Sequence, residues 1–61
     1  MTFEQFDALP EGTDVIDDLG EIGRVVRGPL TKKNIIRWDD GYVSLPNQRN
    51  WEVQKVRVVG T

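Results

Sequence analysis

An Asp-Gly dipeptide within an alternating apolar stretch constrains this chain more than any other feature. Asp40-Gly41 predicts a two-residue hairpin turn of type I′, in which both central residues take a positive φ. With these two residues as the loop, Trp38 is expected to lie opposite Val43. The apolar alternation agrees with that register, so Trp38 is predicted to point into a β core. The side chains assigned to that core-facing side are Ile36, Trp38, Val43 and Leu45.

Turn signals recur along the rest of the chain at intervals typical of a small barrel or sandwich. No helical stretch is long enough for a parallel crossover, so the sheet is expected to be antiparallel. In the second strand Val25 is the expected core residue and Arg24 points outward, and a bulge near Gly23 is an open alternative. The predicted strands are Val15-Ile16, Ile22–Arg27, Asn34–Asp39, Tyr42–Leu45 and Val53–Val59.

Residues 2–9 predict a short N-terminal helix. Thr2 stands three residues before Gln5, which is the capping-box spacing. Two helical turns are not stable alone in water, so Phe3 and Phe6 are expected to cover a core made by the strands. That core is expected to contain Val15 or Ile16, Val25, Ile36, Trp38, Val43, Leu45, Val56 and Val58.

Composition excludes several classes of function. The 61 residues suffice for a single domain, 1–61, with a small core. Cysteine and histidine are both absent, which excludes disulfides, zinc fingers and catalysis by thiol or imidazole. The acidic pairs Asp17-Asp18 and Asp39-Asp40 are explained by turn formation. We therefore expect no enzyme, and the sequence predicts no catalytic residue, no metal ligand and no cofactor.

The apolar residues do not form a membrane segment. No run approaches the roughly 18 residues of a membrane span, and the first residues do not resemble a signal peptide. A cytoplasmic protein without a membrane partner is the expectation.

Charge is distributed unevenly along the chain. Residues 1–21 carry seven acidic and no basic side chains, a net charge of −7, whereas residues 22–61 carry eight basic and three acidic side chains, a net charge of +5. Such a split can steer a charged partner. The alternative is that the two parts pack together and neutralise each other.

Two stretches resemble small barrel families. Residues 12–15 (GTDV) and then 20–26 (GEIGRVV) resemble the opening of KOW-type modules, where a first strand leads into a G-x-x-G-x-V turn and strand. Residues 36–41 (IRWDDG) resemble the hydrophobic-x-W-D-x-G hairpin of Tudor-like and Mib-type barrels. The resemblance implies a mainly β protein of the SH3-like superfamily. Its five-stranded antiparallel barrel would occupy residues 13–61 after the short helix.

The two families imply different partners. KOW modules suggest RNA, ribosome or RNA-polymerase partners, and Tudor modules suggest methylated side chains held in an aromatic cage. With Trp38 assigned to the core and the phenylalanines to its lid, only Tyr42 and Trp51 remain for a cage. A methyl-lysine reader is therefore not expected.

The candidate binding residues are exposed aromatic and basic side chains. Arg37, Tyr42 and Ser44 are predicted to share the outer face of the hairpin, and Trp51 follows a polar loop, a combination typical of binding hot spots. The preferred hypothesis is a non-enzymatic protein-binding module, an accessory or regulatory factor of bacterial or phage type. Trp51 folded over the barrel end and Tyr42 shielding the hairpin are the structural alternatives.

The alternative function is nucleic-acid binding by the basic second and third strands in the KOW manner. The residues that would contact phosphates are Arg24, Arg27, Lys32, Lys33 and Arg37. A sequence pI near 4.9 argues against it, because nucleic-acid-binding domains are usually basic. A monomer or a weak homo-oligomer formed through an exposed strand edge is expected.

Overall fold

One short helix and four strands make up the described part of the chain. The structure, a computed structural model, describes residues 1–30, 32–44 and 53–60. No helix within those ranges is long and apolar enough to cross a membrane. The elements are α1 (Phe3–Asp7), β1 (Asp14–Ile16), β2 (Ile22–Arg27), β3 (Asn34–Trp38) and β4 (Arg57–Val58).

The predicted capping box starts α1. The Thr2 hydroxyl accepts a hydrogen bond from the Gln5 backbone N–H at 3.1 Å, and the Gln5 side-chain oxygen accepts one from the Thr2 N–H at 2.9 Å. Phe6 is fully buried, while Phe3 packs against the core at its edge. The helix predicted over 2–9 is therefore confirmed, although regular helix ends at Asp7.

The strands form one antiparallel sheet in the order β3-β2-β1-β4. Gly23 of β2 lies between Val15 of β1 and Trp38 of β3, and Val15 also pairs with Val58 of β4. The last strand thus returns to the first. The predicted antiparallel sheet is confirmed, but over the described ranges it has four strands and is not closed into a barrel. The regular register of β2 leaves no bulge at Gly23.

The predicted fourth and fifth strands differ most from the structure. The segment 42–44 makes a single bridge, between Arg37 and Val43, and Leu45 lies outside the described residues. Of the strand predicted over Val53–Val59, only Arg57–Val58 is extended, because the chain turns at 53–55. Val53 and Val56 are both buried. Two residues three positions apart lie on the same side of a helical turn but on opposite faces of a strand, so their shared burial fits the turn.

The core lies between α1, the 53–56 turn and one face of the sheet. We call this face the covered face, and its side chains in the core are Val15, Val25, Ile36 and Trp38. Phe6, Val53 and Val56 complete the buried cluster. Two core assignments need correction, because Val43 is 39% exposed and Val58 is only partly buried. Val53 was not among the predicted core residues.

Candidate functional site

The hairpin after β3 closes with a three-residue loop, 39–41. The Gly41 N–H donates to the Trp38 carbonyl at 2.9 Å, and the Trp38 N–H donates to the Tyr42 carbonyl at 2.7 Å. Gly41 has a positive φ and Asp40 does not, so the predicted two-residue type I′ turn is wrong. The Asp40 side chain explains the longer loop, since its Oδ1 accepts a hydrogen bond from the Tyr42 N–H at 2.9 Å.

This loop moves the hairpin register by one residue. Arg37, rather than Trp38, lies opposite Val43. The Ser44 N–H donates a hydrogen bond to the Ile36 carbonyl at 2.9 Å. A slip of one residue sends each side chain to the other face. Ser44 is consequently buried, at 2% exposure, instead of facing outward. The predicted outer set is thereby corrected: Tyr42 lies beside Trp38, away from Arg37.

The slip places an aromatic pair at one end of the covered face. Tyr42 is 46% exposed, and Trp38 is 8% exposed beside it. Both line a cleft of about 190 Å³, which we call the Tyr42 cleft. Its other lining residues are Asp17, Asp18, Leu19, Glu21, Asp40, Lys55 and Val56.

The β1–β2 loop supplies the acidic wall of the Tyr42 cleft. The Asp17 Oδ1 accepts hydrogen bonds from the backbone N–H groups of Leu19 at 2.9 Å and of Glu21 at 2.8 Å. The Asp17 N–H donates to the Glu21 carbonyl at 3.0 Å, and the Asp39 N–H donates to the Ile22 carbonyl at 3.0 Å. These bonds fix the loop and hold it against the hairpin. Within the described ranges, no group of three or more carboxylates is placed to hold a metal ion.

Two of the basic candidates are direct cross-strand neighbours. Arg24 of β2 pairs with Arg37 of β3 on the face opposite the core. The Arg24 Nε lies 3.1 Å from the Asp14 Oδ1, and both side chains of this ion pair are largely exposed. Like charges directly opposite each other destabilise a sheet.

We expect Arg37→Glu to stabilise the protein by about 0.2–1 kcal/mol, since a like-charge pair becomes an opposite-charge pair. Urea denaturation at low salt measures the change. Arg37→Gln serves as the control, because it removes the repulsion without adding an attraction. A glutamate variant that is less stable than the glutamine variant would contradict the argument.

The remaining basic candidates lie at the other end of the β2–β3 hairpin. The Arg27 Nη1 donates to the Lys32 carbonyl at 3.4 Å, and the Gly28 N–H donates to the Lys33 carbonyl at 2.9 Å. Arg24 and Arg27 are three residues apart in a strand and therefore point to opposite faces. The five basic candidates thus form two separate groups. The aromatic candidate Trp51 lies outside the described residues.

Sequence reasoning found Tyr42 but not its surroundings. The cleft brings loop 17–21 against residues 38–42, and no local pattern reports that contact. One signal was present in the sequence: Asp39-Asp40-Gly41 also fits a three-residue loop with glycine at its third position. That alternative would have paired Trp38 with Tyr42.

Comparisons with protein-family models, with curated proteins and with solved structures found no match to this chain.

Proposed function

We propose that this chain is a non-enzymatic protein-binding module that receives its partner at the Tyr42 cleft. The observation that carries the proposal is a half-exposed tyrosine set against a tryptophan in a concave site. Tyrosine and tryptophan are the side chains most enriched at binding hot spots, where they bury a large apolar area at low entropic cost.

The SH3-like barrel is the finer architecture within this proposal. The first three strands follow one another as antiparallel neighbours, and β4 returns to pair with β1. Closure into a barrel would bring the strand beyond β3 together with β4, which lies at the other edge of the sheet. The hairpin at 38–42 extends the same order beyond β3.

A polypeptide is a better partner for this cleft than a nucleic acid. Base stacking needs an exposed aromatic close to basic side chains. Tyr42 instead shares its cleft with four carboxylates and a single ammonium group, that of Lys55, so the net negative charge repels phosphates. The arginines of β2 and β3 lie on the opposite side of the sheet or at its far end.

Site-specific cross-linking tests the proposal. We expect a protein that carries photoreactive p-benzoylphenylalanine in place of Tyr42 to give a discrete adduct in extracts of the cells that produce it. The same amino acid in place of Leu30, which is 94% exposed in the β2–β3 loop, is the control position. Excess wild-type protein should compete for the partner. Identical adducts from both positions, or none from position 42, would contradict a partner at the cleft.

Truncation of the tyrosine gives the corresponding affinity change. We expect Tyr42→Ala to weaken partner binding by about tenfold or more, as for other hot-spot aromatics. Surface plasmon resonance with the cross-linked partner measures it. Leu30→Ala, which shortens an exposed apolar side chain outside the cleft, should leave the affinity unchanged. An equal loss in both variants would count against the cleft.

A further inference from the structure

We infer that the Tyr42 cleft binds a cationic side chain, lysine or arginine, of the partner polypeptide. This inference rests on the protein-binding function proposed above and adds the chemistry of the recognised group. It follows from the charge, the aromatic pair and the apolar rim of the same cleft.

Carboxylates dominate the charge of the cleft. Asp17, Asp18, Glu21 and Asp40 line it together with one ammonium group, that of Lys55, so the lining side chains sum to −3. A second cleft adjoins it at Trp38 and Glu21 and adds Asp39 without adding a cation. The charge of the side chains that line both clefts is therefore negative around Trp38. Low-dielectric walls strengthen the field of these charges, which attracts a positive group.

The carboxylates divide into two kinds. Asp17 and Asp40 accept backbone hydrogen bonds from their own loops, which holds them in place. The side-chain carboxylates of Asp18 and Glu21 make no hydrogen bond or ion pair with the described residues. These two are the groups with oxygens available for an incoming ammonium or guanidinium. Charge-assisted hydrogen bonds of this kind are about twice as strong as neutral ones.

The aromatic pair and the rim complete the complementarity. A cation near the face of tyrosine or tryptophan is attracted by the ring quadrupole. The aliphatic stem of lysine or arginine also needs apolar contact, because these side chains bury the stem while the charge stays hydrated. Leu19, which is 80% exposed, and the buried Val56 both line the cleft and provide this contact. The carboxylates of the cleft thus suit the charged end of a basic side chain, and its apolar and aromatic groups suit the aliphatic stem.

Matched peptides test the inference. The probes are blocked glycine-serine peptides with one central residue: arginine, its neutral isostere citrulline, or glutamate. NMR titration of ¹⁵N-labelled protein follows the Trp38 indole N–H and the Tyr42 amide. We expect the arginine peptide to bind about tenfold or more tightly than the citrulline peptide, with an affinity that falls as salt screens the charges. The glutamate peptide should not shift these resonances.

Carboxylate variants locate the effect. Asp18→Asn and Glu21→Gln are expected to weaken binding of the arginine peptide and to leave that of the citrulline peptide unchanged. Glu4→Gln, which removes an exposed carboxylate on α1, is the matched control and should change neither. Equal weakening by Glu4→Gln would show general electrostatics rather than a site, and would overturn the inference.

The same titrations separate this inference from the function on which it rests. Equal binding of the arginine and citrulline peptides, abolished in both by Tyr42→Ala, would overturn the cationic ligand and retain the binding cleft. Shifts absent from Trp38 and Tyr42 with every peptide would overturn the cationic ligand, and absence of the cross-linked adduct would then overturn the function as well.

Discussion

Gly23→Ala is expected to destabilise the protein by about 3 kcal/mol, the upper end of the usual cost of overpacking a core. A Cβ atom at Gly23 would lie 2.5 Å from the Ile36 Cγ2 and 2.9 Å from the Trp38 Cε3. Both neighbours are buried on the covered face, and the Arg37 carbonyl oxygen lies 3.2 Å away. The side chains therefore have little room to yield, and the clash moves Trp38.

The destabilisation by Gly23→Ala is large relative to the free energy of unfolding of the whole protein. A chain of 61 residues has a free energy of unfolding of about 3–9 kcal/mol at ordinary values per residue. Gly23→Ala should therefore raise the unfolded fraction by about two orders of magnitude and alter the Tyr42 cleft, because Trp38 forms part of it. Urea denaturation followed by tryptophan fluorescence measures the change.

Gly20→Ala is the matched control for this substitution. Gly20 has a φ of +83°, and a Cβ there would meet no atom within 4 Å. Its replacement costs only the backbone strain of a left-handed residue, about 1–2 kcal/mol. The two variants thus separate steric clash from dihedral strain. If Gly20→Ala proves the more damaging, close packing across the sheet at Gly23 is not what requires glycine there.

Elements defined by local chemistry were predictable from the sequence. The capping box places the start of α1, and β2 runs from Ile22 to Arg27 as expected, because the signals for each lie within a few residues of it. The segment after residue 52 shows the limit of that reasoning. Alternating polar and apolar residues suggested a strand, but Val53 and Val56 turn toward the same core. The Met1 nitrogen holds that turn by donating to both of their carbonyls, at 3.1 and 3.2 Å.

At the hairpin, the Asp-Gly signal correctly predicted a turn but led to a wrong prediction of which side chains share its outer face. Trp38 is buried as predicted, yet one added loop residue exchanges the faces of Tyr42, Val43 and Ser44. The apolar pattern could not detect this, because valine and tyrosine are both acceptable on a half-exposed face. No pattern in the sequence predicted the acidic wall of the Tyr42 cleft either. Loop 17–21 and the hairpin lie far apart along the chain, and they meet only once the sheet has formed.

Asn34 had no predicted role, but it joins the helix to the sheet. Its side chain is buried at the start of β3, on the same face as Ile36. The Nδ2 group donates to the carbonyl oxygens of Phe6 and Leu9, each at 2.9 Å. The Phe6 carbonyl, which also accepts the Leu9 N–H at 3.1 Å, and the Leu9 carbonyl lie where α1 ends and the chain leaves the helix. A single amide thus ties both carbonyls to the sheet.

Asn34→Asp is expected to destabilise the protein by about 3–5 kcal/mol, because it sets an uncompensated charge in a buried site. The side chains have nearly the same shape, so packing is preserved while both donated hydrogen bonds become contacts between oxygens. Asn34→Ala is the control. It removes the donors without adding a charge, and its expected cost is about 1–3 kcal/mol. Urea denaturation, with circular dichroism reporting the helix, measures both. Equal losses would mean that the added charge costs nothing beyond the loss of the two donated hydrogen bonds, and would contradict the argument from a buried charge.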